Sequence, residues 1–381
     1  MNNSRRRMSV LVAGHAVDDL YQGAVPAVVP FLVLERGYSY LAIAGITVAA
    51  TLLSSVVQPL FGWLTDRRPM PWLVPLGMTF AGVGIGLSGV SDSYVVTWLA
   101  IALSGLGVAA YHPEAARLAR RVAQDSHVGM SWFAVGGNVG FALGPVLVTP
   151  VLAFGGLAWS PLLAVPALVG GAFTMVALRG VQGSEAAVAA RAGADDWGQF
   201  SRLTVVIIAR SVVTFGLGTF LAIWVTSRVG GGPAAGAAAL VVLFGAGAAS
   251  TLLGGVLAGR FGRVRVLQVS YAISIPAVAG VALVPGPAVY VMVALTAVSL
   301  YVPFSLHVTL GQDYLPNRLG TASGVTLGLA VSVGGLGSPV VGAVAGATTL
   351  QWGLLSLVLM PVVAWVAARG LCSPRCELEP R

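Results

Sequence analysis

Four polar residues interrupt an apolar run near the N-terminus, from about Met8 to Leu34: His15, Asp18, Asp19 and Gln22. A helix rises 1.5 Å per residue, so the run can cross a hydrocarbon layer roughly 30 Å thick. An ionised carboxylate inside that layer costs at least ~2.5 kcal/mol. Residues three and four apart share a helix face, so His15, Asp18 or Asp19, and Gln22 form one polar stripe. We expect the stripe to face a water-filled cavity or partner helices; a satisfied packing network is the alternative.

The composition of the chain places it in a membrane. Of its 381 residues, 57% are hydrophobic and only 9% are charged, whereas a soluble domain carries about 25% charged residues. A net charge of +8 would suit a nucleic-acid-binding protein. The arginines are scattered between apolar segments and form no basic face, so we expect no nucleic-acid partner. The two cysteines, Cys372 and Cys376, lie near the C-terminus without a nearby histidine. We therefore expect neither a metal site nor a cofactor.

Twelve apolar segments are long enough to span a membrane, which predicts an all-α integral membrane protein. They lie at about 8–34, 40–63, 71–90, 94–112, 128–152, 156–178, 203–227, 234–258, 265–284, 288–311, 320–345 and 349–368. Most of the 21 basic residues fall at the two ends of the chain and in alternate loops. Arg36 and Arg228 fall on the other side, and Arg210 falls within a span. Because cytoplasmic loops are enriched in arginine, both termini are predicted to be cytoplasmic.

The two halves of the chain share features at an offset of 193 to 195 residues. These are a Gly-x-Leu-x-x-Arg motif at 62–67 and 255–260, a histidine at His112 and His307, and a proline at Pro145 and Pro339. The order and spacing predict two six-helix bundles related by a pseudo-twofold repeat, the plan of a transporter with a central binding site. The predicted parts are an N-terminal bundle (1–178), a cytoplasmic linker (179–202), a C-terminal bundle (203–368) and a cytoplasmic tail (369–381).

The segment Gly62-Trp63-Leu64-Thr65-Asp66-Arg67-Arg68 resembles the loop signature of the major facilitator superfamily. Gly62 would let a neighbouring helix approach closely, and Asp66 can cap a helix N-terminus. The resemblance implies that this helix is the eleventh span. The second half has Gly259 in place of the acid. The capping contact predicted for Asp66 should therefore have no counterpart in the second half. The alternative is that Asp66 and Arg67 serve only to set topology.

Three further segments resemble the fosmidomycin-resistance branch of that superfamily. They are 14–23 (GHAVDDLYQG), 111–117 (YHPEAAR) and 135–145 (VGGNVGFALGP). The resemblance implies proton-coupled efflux of small molecules, including a phosphonate antibiotic. One departure concerns coupling: many drug–proton antiporters carry an arginine in the fourth span, where this chain has Ile101. Coupling must therefore come from other residues.

The candidate coupling group is Asp19, helped by His15, with the carboxylate taking up the proton. Asp18 and Glu114 are further candidates, although Glu114 can also pair with Arg117. Arg210 is the candidate anchor for an anionic substrate, because a guanidinium offers a planar fork to a phosphonate or carboxylate. Snorkelling to the interface is its alternative. Other residues predicted to line the substrate site are Gln22, Asn138, His112, Tyr21, Trp224 and His307.

Gly140, Gly144 and Pro145 resemble part of the antiporter signature of the fifth span. Small residues four apart permit close helix contact, and the proline bends the helix, so both gating and plain packing explain them. We expect a monomeric, multi-pass transporter of the bacterial inner membrane that exports small organic molecules or drugs in exchange for protons. Proton-coupled uptake of a small anionic metabolite is the alternative. An intramembrane enzyme is disfavoured, because the chain has no H-E-x-x-H motif or Cys–His ligand set.

Overall fold

The computed structural model describes residues 3–123, 127–178, 194–318, 321–322 and 324–373. Within these ranges all regular structure is helical and there is no strand, which confirms the predicted all-α class. The α-helices are α1 (Asn3–Arg36), α2 (Tyr40–Val56), α3 (Gln58–Arg67), α4 (Leu73–Leu87), α5 (Tyr94–Ala123), α6 (His127–Gly155), α7 (Val165–Ala177), α8 (Trp197–Val229), α9 (Gly232–Phe261), α10 (Arg263–Leu283), α11 (Val289–Tyr301), α12 (Phe304–Tyr314), α13 (Ala330–Gly335), α14 (Gly337–Ala347), α15 (Leu350–Ser356) and α16 (Leu359–Arg369). A 3₁₀ helix at Leu157–Ala164 precedes α7, and a π-helical turn at Gly324–Leu329 precedes α13.

Ten helical segments of the described chain are long and apolar enough to cross a membrane, and two apolar helices are shorter. The shorter ones, Leu73–Leu87 and Val333–Ala347, fall within the third and eleventh predicted spans. Each of the other ten predicted spans coincides with a helical segment of spanning length. Residues 320 and 323, in the eleventh predicted span, lie outside the described part.

Two predicted spans are longer in the structure than the hydropathy pattern indicates. The fourth was expected to end near residue 112, yet α5 continues to Ala123. Its extension contains Ala115, Ala116, Leu118 and Ala119, which are among the strongest helix formers. The seventh was expected to begin near residue 203, yet α8 begins at Trp197, and the Asp196 carboxylate accepts a bond from the backbone N of Gln199 at 2.9 Å. Helix propensity and capping, rather than apolarity, thus determine both ends.

The chain folds into two compact units. Unit 1 comprises Met1–Glu185 and Leu221–Gly245, and unit 2 comprises Ala186–Phe220 and Ala246–Arg381. The predicted boundaries at residues 178 and 203 stay a prediction.

Within unit 1, α1 lies directly against α6 along a row of glycines. A Cβ atom on Gly140 would lie 2.9 Å from the backbone N of Leu20, and one on Gly144 would lie 2.6 Å from the backbone N of Ala24. A Cβ on Gly136 would likewise collide with the carbonyl of Val12. The close helix contact expected at Gly140 and Gly144 is therefore present, and its partner is α1. This contact fixes the register between the polar stripe of α1 and the wall that α6 places in front of it.

The C-terminal end of α1 is also held in place within unit 1. Arg36 donates from Nη2 to the carbonyl of Gly89 at 2.7 Å and from Nη1 to Oγ1 of Thr97 at 3.1 Å. The Glu35 carboxylate accepts a bond from the backbone N of Leu157 at 3.1 Å. These bonds tie α1 to the turn after α4, to α5 and to the 3₁₀ helix before α7.

Candidate functional site

The polar stripe of α1 forms a connected set of side chains. His15 Nε2 lies 3.2 Å from Asp19 Oδ2, one helical turn away. Gln22 donates from Nε2 to Asp19 Oδ1 at 2.5 Å. His15 and Asp19 are 7% and 5% exposed, so this carboxylate is removed from water and depends on these partners. The helical spacing alone predicts these contacts.

A second histidine enters the cluster from α5. His112 Nε2 lies 3.2 Å from Asp19 Oδ1 and 3.3 Å from His15 Nε2. The sequence analysis placed His112 among the substrate-lining residues and did not bring it to Asp19. Because the two residues lie on different helices, far apart in the chain, helical periodicity carries no signal for this contact. His15, Asp19 and His112 are called the histidine–aspartate cluster below.

In both rings, the nitrogen that points away from Asp19 lies at hydrogen-bonding distance from a backbone carbonyl. His15 Nδ1 lies 2.7 Å from the carbonyl oxygen of Phe133 on α6, and His112 Nδ1 lies 2.9 Å from that of Val108. A carbonyl oxygen only accepts, so Nδ1 carries a hydrogen in each ring. Nε2 is then the nitrogen of each ring that faces Asp19.

Aromatic rings and one glycine form the walls of the cluster. Phe133 stacks on His15 with ring centroids 4.1 Å apart, and Tyr111 stacks at 6.1 Å. A Cβ on Gly137 would lie 2.7 Å from His15 Cε1 and 2.8 Å from His15 Nε2. Glycine at 137 is therefore what lets α6 close over the cluster. Sequence reasoning missed Tyr111, Phe133 and Gly137, although each lies in or next to a segment that it had singled out.

Asp18 occupies a different position from Asp19. It is fully buried, and neither carboxylate oxygen has a hydrogen-bond partner among the described residues. Its Oδ2 lies 3.5 Å from His112 Nδ1. His112 thus lies between two carboxylates. Of the two candidates that share the stripe, Asp19 is the one in direct contact with His15.

The same geometry bears on metal binding. Donor atoms of His15, Asp19 and His112 all lie within 4.8 Å of one another, so these three residues could also hold a metal ion. The sequence has no metal-binding motif at these positions, and no metal site was predicted from it.

Glu114 pairs with Arg117 on the same helix, as their spacing predicted. The Glu114 carboxylate is fully buried and accepts bonds from both Nε and Nη2 of Arg117. This pairing satisfies the carboxylate on α5, two residues beyond His112. A coupling role for Glu114 stays a prediction.

Unit 2 contains a buried cation. Arg210 on α8 is 6% exposed, and its Nε and Nη1 atoms are buried without a hydrogen-bond partner in the described part of the chain. The guanidinium carbon lies 5.0 Å from the ring centroid of Phe304 and 5.7 Å from that of Tyr301. A snorkelling arginine would place its head group in water or at the interface. This one is instead held among aromatic rings.

His307 lies on α12, one helical turn after Phe304, whose ring contacts Arg210. It is 2% exposed, and its Nε2 lies 3.0 Å from the hydroxyl oxygen of Tyr271. Its Nδ1 is buried and has no partner among the described residues. Tyr271 is fully buried on α10 and was not predicted as a site residue. His307 was found from the repeat offset to His112.

Some predicted substrate residues lie apart from these two groups. Tyr21 is fully buried; its hydroxyl donates to the carbonyl of Leu163 and accepts from the backbone N of Ala167, both at 2.9 Å. It therefore links α1 to the α7 region, and a substrate-lining role for Tyr21 stays a prediction. Trp224 packs under the guanidinium of Arg228, 4.9 Å from its ring centroid.

The remaining candidates are less fully defined. Asn138 is half-buried on α6, next to Gly137. No atom of the described residues lies within 4 Å of the position that a Cβ on Gly62 would take, and its close approach to the eleventh span stays a prediction. The side chains of Asp66 and Arg67 lie outside the described part. Pro145 lies inside α6, directly after the contact that Gly144 makes with α1.

Comparison with known proteins gives a consistent result. The family model "Major Facilitator Superfamily" matches residues 11–340. The chain is 30% identical over 371 residues to the fosmidomycin resistance protein of Escherichia coli (strain K12), covering 90% of this chain and 87% of the relative. It is also 30% identical over 373 residues to the uncharacterized MFS-type transporter YfnC of Bacillus subtilis (strain 168), covering 93% of this chain and 90% of the relative.

Solved structures show the same fold. A bacterial homologue of the human lysosomal transporter Spinster, inward-facing and unoccupied, superimposes with a TM-score of 0.80 at 15% identity, covering 97% of this chain and 98% of the other. The nucleoside transporter NupG superimposes with a TM-score of 0.72 at 14% identity, covering 97% and 98%. At such identities the likeness concerns the fold alone.

Proposed function

Because the chain belongs to the Major Facilitator Superfamily, we propose that it is a proton-coupled secondary transporter that exports small organic molecules or drugs by alternating access. Family membership makes it a multi-pass membrane transporter of small molecules, not an enzyme. Phosphonate antibiotics such as fosmidomycin are the candidate substrates. They are suggested by the 30% identity to a fosmidomycin resistance protein and by the buried Arg210.

The observation that carries the proposal is the histidine–aspartate cluster. A buried cluster of one carboxylate and two imidazole rings, each with a nitrogen 3.2 Å from that carboxylate, binds and releases protons as its access to water changes. The change in net charge alters which conformation is favoured, because a buried charge without a partner is costly. Asp19 and His15 are thus the proposed proton-coupling residues. Asp18 and Glu114 are the proposed supporting acids.

Arg210 is the proposed anchor for an anionic substrate. Two of its guanidinium nitrogens are buried without a partner among the described residues, and an unpaired buried donor costs about 1–3 kcal/mol, more when it is charged. A carboxylate or phosphonate oxygen would satisfy them and gain a charge-assisted bond. The other residues that we propose to line the substrate path are Gln22, Asn138, His112, Trp224 and His307.

The proposed architecture has twelve spans in two six-helix bundles. The bundles comprise residues 1–178 and 203–368, with a cytoplasmic linker at 179–202 and a cytoplasmic tail at 369–381. The two shorter apolar helices, Leu73–Leu87 and Val333–Ala347, would complete the twelve. Both termini are proposed to face the cytoplasm of a bacterium, across its inner membrane, and the transporter to work as a monomer. Gly62, Asp66, Arg67, Gly140, Gly144 and Pro145 are the proposed gating or structural positions.

Cysteine labelling tests the orientation. On a background that lacks Cys372 and Cys376, Ala194→Cys should resist an impermeant reagent in intact cells, because its loop is proposed to be cytoplasmic. Ser93→Cys, in the turn before α5, should be labelled. Both residues are exposed, so accessibility does not limit either reaction. Labelling of Ala194→Cys alone would reverse the topology.

Transport in vesicles of known orientation, with an imposed pH gradient, tests coupling and direction together. Export coupled to protons predicts that substrate moves against the proton flow. Movement of substrate with the protons would instead establish the alternative, uptake of a small anionic metabolite, which Arg210 also fits. Transport that is unchanged when the gradient is collapsed would remove proton coupling altogether.

A further inference from the structure

Building on the proposed proton coupling, we propose that the transported protons are held on Nε2 of His15 and His112, while Asp18 and Asp19 remain ionised. From the sequence alone, the Asp19 carboxylate was the expected proton-binding group. The geometry favours the rings instead, and it assigns a separate role to Asp18.

The first step is the assignment of the ring hydrogens. The carbonyl oxygens of Phe133 and Val108 each take a hydrogen from an Nδ1 atom, at 2.7 and 2.9 Å. Each neutral ring therefore presents a lone pair at Nε2. Any additional proton on either ring has to bind there, at the atom that faces Asp19. The two backbone carbonyls thus direct proton uptake to the interior of the cluster.

The second step concerns the unprotonated cluster, in which three acceptors meet. The two Nε2 atoms lie 3.3 Å apart, and each lies 3.2 Å from an oxygen of Asp19. With neutral rings and an ionised carboxylate, every one of these contacts joins two lone pairs. A proton on each Nε2 converts both contacts to Asp19 into charge-assisted hydrogen bonds, one to each oxygen, and the carboxylate then offsets the repulsion between the two Nε2–H groups, which lie 3.3 Å apart. One proton on the carboxyl would satisfy one contact and leave the other unmatched.

The third step is charge balance. The titratable groups that face the cluster are His15, Asp18 and Asp19 on α1, and Tyr111 and His112 on α5. Among the described side chains of α6, the walls contain the Phe133 carbonyl and ring and the glycine at 137, none of which titrates. Two imidazolium rings and two carboxylates sum to zero. Asp18, buried without a hydrogen bond from the described residues and 3.5 Å from His112, is then the counter-ion that makes the second proton tolerable.

The chain contains only four histidines, which makes the rings directly observable. The full-length protein, labelled with ¹⁵N-histidine and reconstituted in nanodiscs with EDTA, would be examined by ¹⁵N NMR across a pH series. We expect two rings to pass from the Nδ1–H form to the doubly protonated form. Infrared difference spectra should show no new protonated-carboxyl band. Replacing either ring, as in His15→Gln or His112→Gln, should reduce proton uptake by one.

Asp18→Asn separates a counter-ion role from a purely structural role, because only loss of a counter-ion would change the number of protons that the protein takes up. With one counter-ion removed, we expect the protein to take up one proton fewer over the same pH series, while the remaining imidazolium stays paired with Asp19. If Asp18→Asn fails to fold, Asp18→Glu should retain the uptake of two protons and so carry the test.

Two results would overturn the assignment. Rings that stay neutral while a carboxyl band appears would place the proton on Asp19, and the proposed proton coupling would survive. Ring signals that respond to removal of divalent cations rather than to pH would place a metal ion in the cluster. By contrast, loss of gradient dependence in the vesicle assay would reject proton coupling itself, whatever the rings do.

Discussion

Adding one methyl group at Gly137 should disable the histidine–aspartate cluster with little effect on the rest of unit 1. A Cβ there would lie 2.7 Å from His15 Cε1 and 2.8 Å from His15 Nε2, and it would also collide with Asp19 Oδ2. Carbon atoms pack at about 3.5–4.0 Å, so His15 has to move by roughly 0.8 Å or more. Moving α6 away instead would open the close packing of Gly140 against the α1 backbone.

The size of the effect of Gly137→Ala follows from the displacement of His15 from its contact with Asp19. Overpacking of this kind costs about 1–3 kcal/mol of stability. A hydrogen bond to a charged group contributes about 1.5–3 kcal/mol, and each 1.36 kcal/mol is a factor of ten. Gly137→Ala should therefore lower proton-driven transport by roughly ten- to a hundredfold, whereas the melting temperature should fall only moderately.

Two matched glycine variants separate local from general effects. Gly255→Ala places the same methyl group where no atom of the described residues lies within 4 Å, so it should behave like the parent protein. Gly140→Ala collides with the α1 backbone rather than with side-chain ends, so its main effect should be on stability. Transport in proteoliposomes and thermal unfolding in detergent measure the two quantities. Full proton-driven transport by a folded Gly137→Ala protein would refute the reasoning.

Three further substitutions probe the remaining contacts. Asp19→Asn should abolish proton-driven transport, while Asp18→Asn should weaken it less because Asp18 accepts no hydrogen bond from the described residues; equal and complete loss in the vesicle assay would contradict this ranking. Arg210→Gln should weaken anion binding to the purified protein by roughly ten- to a hundredfold, with partial recovery in Arg210→Lys, and unchanged affinity would remove the anchor. Tyr21→Phe should lower unfolding stability by about 1–3 kcal/mol, since it leaves the Ala167 N–H unpaired; an unchanged melting temperature would show that another acceptor replaces the hydroxyl.

The sequence was most informative where local physics governs the structure. Apolarity located the helical segments, and the i to i+4 spacing placed His15 against Asp19. The spacing of Gly140 and Gly144 predicted a close helix contact but not that α1 is the partner. The true end of α5 at Ala123 was missed. Hydropathy identifies only the part of a helix that crosses the membrane, whereas an alanine-rich sequence can continue the same helix beyond the membrane.

Contacts between distant parts of the chain were largely beyond the sequence. His112 meets Asp19, and Tyr271 meets His307, because of how helices pack, and no periodic pattern records either pairing. The repeat offset was a partial signal, since it matched His112 with His307 before their environments were known. It did not reveal that one histidine faces carboxylates while the other pairs with a tyrosine hydroxyl.

The difference between these two histidines bears on the direction of transport. On the proposed scheme, two carboxylates and two neutral rings give unit 1 a net negative charge until protons bind, and Arg210 gives unit 2 a positive charge until an anion binds. Each unit is therefore closest to neutral when loaded, and a loaded unit costs less to bury than an empty one. If both units must be loaded before the conformation changes, protons and anion travel together, which is uptake. If the conformational change requires that only one unit be loaded, protons and anion cross the membrane in opposite directions, which is export. The same residues fit either cycle, so the sign of the thermodynamic coupling between proton and anion binding, which is reciprocal, determines the direction.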